Sequence, residues 1–123
     1  MREPCRLLVI DDDPDVLDVV RMILEDEGHE VVTAANGQVA LDLLRCGLCP
    51  HVILLDLRMP IMDGWHFEAE RRKLQLAAGA ALVIISSEPT SASAQLAPAA
   101  VLRKPLDASV IAASTKLLCE QRH

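Results

Sequence analysis

The chain has 123 residues, 51% of them apolar, with 12 basic against 18 acidic residues and a net charge of −6. That length suits one domain spanning 1–123 around a single core, and the acidic balance argues against direct nucleic-acid binding, which relies on clustered Lys and Arg. The opening "MREPCR" lacks a signal-peptide apolar region and no apolar run is long enough for a membrane helix, so a cytoplasmic protein with no membrane partner is expected.

The first strand is "LLVI" at 7–10. Asp13 and Pro14 then supply an N-cap and a first helical position. Leu17, Val20, Ile23 and Leu24 follow as an inward stripe, with Met22 read as core, before Gly28 ends the turn. "EVVTA" at 30–34 is the second strand, and Asn36 and Gly37 open a second helix on Val39, Ala40, Leu43 and Leu44. "HVILLD" at 51–56 is the third strand. Gly64 opens a third helix with Phe67, Leu74 and Ala78 inward, and "ALVIIS" at 81–86 is the fourth strand. In the connection "SEPTSASAQLAP", Pro89 and Pro98 bracket at most about two helical turns, a shortened fourth helix. "AAVL" at 99–102 completes the strands; Pro105 and Asp107 open the last helix on Val110, Ile111, Leu117 and Leu118.

Strands that are continuously apolar rather than alternating are buried on both faces. Five of them alternating with helices predict a doubly wound parallel α/β sheet, flavodoxin-like, in the order 2-1-3-4-5. In such sheets the ligand site lies at the carboxyl ends of the strands, where strand 1 adjoins strand 3.

Those ends carry Asp11 and Asp12, Asp56, Ser86 and Ser87, and Arg103 and Lys104. Three carboxylates sharing a pocket raise one another's pKa values unless a cation sits among them. Hard oxygens without paired His or Cys suit Mg²⁺. Asp56 is then a competent nucleophile toward phosphorus, with Mg²⁺ and Lys104 stabilising the transferring charge and Ser86 donating to a phosphoryl oxygen. Capping accounts for Asp13 and Asp15 but not for Asp11 and Asp12.

The cysteines are Cys5, Cys46, Cys49 and Cys119. "CGLC" at 46–49 has a redox or metal spacing, but it follows a helical stretch and precedes Pro50, so closing a helix is the favoured reading. The four histidines show no paired spacing for zinc.

Together, "VIDDD" at 9–13, "LLDLRMPIMDG" at 54–64, "VIISS" at 83–87 and "LRKP" at 102–105 resemble the receiver domain of two-component response regulators over nearly the whole chain. The resemblance implies that Asp56 is the phosphoacceptor. It further implies that Asp11, Asp12, Asp56 and the Arg58 backbone carbonyl hold Mg²⁺, and that Lys104 and Ser86 engage the phosphoryl group. A histidine kinase or histidine phosphotransfer protein would be the donor, and a downstream effector protein the reader of the altered surface. The domain would assist its own phosphorylation and dephosphorylation rather than act as an enzyme.

Three positions are expected to modulate this behaviour. Val101 stands where receivers often carry an aromatic switch residue, and Arg58 and Glu88 flank the water route to the phosphoryl group. With no output domain following, the chain reads as a stand-alone receiver, although a receiver from a longer transcriptional regulator or hybrid kinase would read identically. The rivals are a phosphorylation-independent interaction module and an aspartate-dependent phosphatase using Asp11 and Asp13.

Overall fold

The computed structural model describes residues 3–87 and 94–122. Its elements are β1 (Arg6–Ile10), α1 (Pro14–Asp26), β2 (Glu30–Ala34), α2 (Gly37–Arg45), β3 (Val52–Asp56), α3 (Gly64–Lys73), β4 (Ala81–Ser86), β5 (Ala100–Arg103) and α4 (Ala108–Glu120). All strand pairs are parallel and the sheet order is β2-β1-β3-β4-β5, as the sequence predicts. The expected shortened helix between Pro89 and Pro98 falls largely on residues 88–93, outside the described residues.

Alternation along each strand fills two cores at once, because successive side chains leave opposite faces of a sheet. Leu7, Val9, Leu54, Val83 and Ile85 pack under Leu17, Val20 and Leu24 of α1 and Ile111 of α4. Leu8, Ile10, Ile53, Leu55 and Ile84 pack under Ala40, Leu41 and Leu44 of α2 and Phe67 of α3. Both faces of the central strands are therefore dry, and polar groups can gather only at the strand ends.

Each helix starts on the side-chain cap its sequence offers. Asp13 Oδ1 accepts from the Asp15 N–H, Asn36 Oδ1 from Val39, Asp63 Oδ1 from His66 and Asp107 Oδ1 from Ser109, at 2.8–2.9 Å. Gly28 at φ +90° ends the turn after α1 in the left-handed region, as expected.

The helix faces differ from expectation in places. Met22 and Val39 are exposed, and so are Val110 and Leu117, leaving Ile111, Thr115 and Cys119 as the buried stripe of α4. A sevenfold spacing drifts around a straight helix of 3.6 residues per turn, so Val110 and Leu117 share a face, but not the inward one. α3 ends at Lys73, so Leu74 and Ala78 fall beyond it; its inward face holds Phe67 with Glu68 and Arg71.

Candidate functional site

The register brings the acidic strand ends together. Ile10 stands opposite Leu55 in the parallel ladder, so Asp11 and Asp56 leave adjacent strands side by side. On the other flank Ser86 pairs with Arg103, and the Lys104 N–H donates to the Ser86 carbonyl at 3.0 Å, which sets Lys104 over the same edge. A cleft lined by Asp12, Asp56, Arg58, Ser86, Ser87 and Lys104 results.

Asp11 is fully buried, and one of its oxygens accepts from the Asp13 N–H at 2.9 Å. Its other oxygen lies 2.9 Å from the Lys104 ammonium, which also stands 3.5 Å from Asp56 Oδ2. Lys104 thus bridges the two acids, and its pKa is raised: partial burial works against the charge, but the contacts with Asp11 and then Asp56 outweigh it. Asp56 is pushed up to about 6, first by burial and then by the Asp11 charge, with Lys104 and the Arg58 N–H opposing. That N–H points at Asp56 Oδ1 from 3.5 Å.

Close approach of the backbone holds Asp56 in place. The Gly64 N–H donates to the Leu57 carbonyl at 2.9 Å, and a Cβ on Gly64 would stand 2.7 Å from the Asp56 carbonyl oxygen. Only glycine fits where α3 starts against the end of β3, which is why "MDG" follows the acid by a fixed distance.

Asp11, Asp12 and Asp56 each present an oxygen within 4.8 Å of the other two. Three hard carboxylate oxygens with neither sulfur nor imidazole fit Mg²⁺, which favours a few carboxylates and keeps waters. The structure therefore brings Asp11, Asp12, Asp56, Arg58, Ser86 and Lys104 to one place. Val101 lies on β5 outside this cleft, exposed. Glu88, expected to face Arg58, lies outside the described residues.

Sequence reasoning missed a second cluster at the opposite edge of the sheet. Cys5 and Cys119, separated by 114 residues, are joined as a disulfide, and His29 stands beside them. Topology carries the signal: strands begin at that edge, and a helix that crosses back over the sheet ends there. Cys46 caps the end of α2, and Cys46 and Cys49 are free, exposed thiols.

Among the described residues no helix is long and apolar enough to cross a membrane. The chain is 34% identical over 109 residues to the transcriptional regulatory protein GlrR of Escherichia coli, covering 85% of this chain and 24% of that protein. It is 35% identical over 103 residues to a response regulator receiver protein of Anaeromyxobacter, covering 82% of this chain and 43% of that one. It spans less than two thirds of the length of these relatives. The crystal structure of a CheY-like response regulator receiver domain protein from Methanospirillum hungatei superposes with a TM-score of 0.86 at 25% identity, covering 96% of this chain and 95% of that one. The model of the response regulator receiver domain matches residues 7–116. With its acidic cleft at the switch point of a 2-1-3-4-5 sheet, this chain belongs to the response regulator receiver domain family of two-component systems, whose members are signalling domains.

Proposed function

We propose that the domain, taken as residues 1–123, accepts a phosphoryl group on Asp56 in a Mg²⁺-dependent reaction and signals through altered protein contacts. The observation that carries this reading is the Lys104 ammonium standing between Asp11 and Asp56, with Asp12 alongside. A lone strand-end aspartate needs none of that arrangement.

An Asp56 oxygen attacks phosphorus as the P–N bond of a phosphohistidine donor breaks, and the electron pair of that bond returns to the donor ring, which takes up a proton. Asp11, Asp12, Asp56 and the Arg58 carbonyl would hold Mg²⁺, which when bound offsets negative charge on the transferring group. Lys104 is already positioned for a phosphoryl oxygen, because the charge it now neutralises on Asp56 is replaced by that of the phosphoryl group. The Ser86 hydroxyl donates to a second phosphoryl oxygen. The donor is a histidine kinase or histidine phosphotransfer protein, and an effector protein reads the changed surface. Arg58, and Val101 on the exposed strand edge, modulate the lifetime and the read-out.

Incubation with a small phosphodonor and Mg²⁺, followed by intact mass measurement, tests this. Wild type should gain one phosphoryl group, and Asp56→Asn none. An equal gain in Asp56→Asn, or none in wild type with donor and metal in excess, overturns the reading.

A further inference from the structure

We propose that Cys5, His29 and Cys119 form a second metal site, a Cys₂His cage for Zn²⁺ that opens when the two sulfurs are reduced and closes when they are joined. The geometry comes from three elements meeting at one edge of the sheet: the residue before β1, the residue before β2 and the last turn of α4. One ligand atom from each lies within 4.8 Å of the other two. Both cysteines are buried, and the Cα atoms of the pair are 5.8 Å apart.

His29 singles the cluster out. Its Nε2 is buried and has no hydrogen-bond partner among the described residues. A buried ring nitrogen without a partner is an energetic liability, and a bond to a metal removes it. Burial, with Arg122 adding to it against the opposing charge of Glu27, holds the His29 pKa below its ordinary value. An imidazole nitrogen is a ready ligand for Zn²⁺. Two thiolates with one imidazole are soft and borderline donors that select Zn²⁺ over Mg²⁺, which keeps this site chemically distinct from the acidic cleft.

The surroundings suit a cation. The cluster opens on a cleft rimmed by Glu3, Glu27 and Glu120, with Lys116 and Arg122 as countercharges. A tetrahedral ion held there would take its fourth ligand from water or from a rim carboxylate. As a disulfide the sulfurs cannot ligate. Exchange with a dithiol reductant opens the pair: the reductant passes two electrons and two protons to the sulfurs and becomes the disulfide itself. Metal binding then releases the two thiol protons to solvent.

Because Cys46 and Cys49 are exposed thiols, the test uses the full chain carrying Cys46→Ser and Cys49→Ser, reduced with a phosphine that leaves no competing thiol. Co²⁺ is the probe, since thiolate ligation gives a charge-transfer band that oxygen ligands at the acidic cleft cannot produce. The reduced protein should show that band with tetrahedral d–d absorption, saturating at one ion and discharged by Zn²⁺; the oxidised protein should show neither. His29→Gln should weaken binding about tenfold or more, with circular dichroism and the mass gain on Asp56 unchanged. Absence of the thiolate band in the reduced protein, or an unaltered affinity in His29→Gln, overturns the proposal without touching the reading of Asp56.

Discussion

Asp56 is held where burial and the neighbouring Asp11 charge disfavour its ionisation, against the opposing Lys104 ammonium. Its carboxyl, raised from 3.8 to about 6 by burial and by Asp11, binds a proton more tightly folded than unfolded. That binding favours the folded state below about pH 4, and the benefit is lost as pH rises through about 6. At 1.36 kcal/mol per pKa unit the loss is up to about 3 kcal/mol at neutral pH. In chelator, Asp56→Asn should therefore raise the denaturant midpoint at pH 7.5 and leave it nearly unchanged near pH 3.5. Equal effects at the two pH values would show that the charge is already compensated without metal. Asp11, Asp12, Asp56 and Lys104 were legible in the chain because each follows an apolar run, and runs of that kind end at one edge. That Lys104 sits closer to Asp11 than to Asp56 was not, since it depends on side-chain reach across three strands.

At the scale of elements, α3 shows why helix faces are harder to read than strands. Its inward side carries Glu68, with no exposure, accepting from Arg71 Nε and Nη2 at 2.6 Å and from Arg72 Nε at 2.8 Å. Arg71 also donates to the Leu76 and Ala77 carbonyls, and Arg72 to that of Leu96. The run "ERRK" at 70–73 has the composition of a solvated face, yet Arg71 within it is buried and closes the end of the helix from inside. Glu68→Ala strands the buried Arg71 guanidinium and should cost about 3–5 kcal/mol. Arg72→Ala removes a half-exposed partner and should cost under about 1 kcal/mol. Urea midpoints of the two variants check the contrast, and similar losses would mean that Arg71 finds water instead. Met22, Val39, Val110 and Leu117 teach the same lesson from the other side: periodicity marks an apolar residue, but the neighbour across the groove decides whether it is covered.

Across the whole molecule, the first strand and the last helix are tied to each other. The Cys5–Cys119 bond closes a loop of 114 residues, and Arg122 adds a hydrogen bond to the Glu3 carbonyl. In the loop-entropy account a crosslink of that span restrains the unfolded chain by about 4–5 kcal/mol. Reduction should lower the unfolding midpoint by a corresponding amount, measured by denaturation of oxidised protein against reduced protein or the Cys5→Ser, Cys119→Ser variant. A midpoint insensitive to reduction would show that packing alone holds the two ends.

By itself the sequence determined the parallel sheet and its order, the helix starts, and the strand ends where acids and a lysine collect. These follow from local patterns: buried strands are continuously apolar, caps lie next to their helices, and chain direction sends every strand end the same way. Only the tertiary structure decided which helix faces are covered, how Glu68 is paired, and that Cys5, His29 and Cys119 meet. Those contacts join residues far apart along the chain, and no local spacing encodes a distance that exists only once the core has packed.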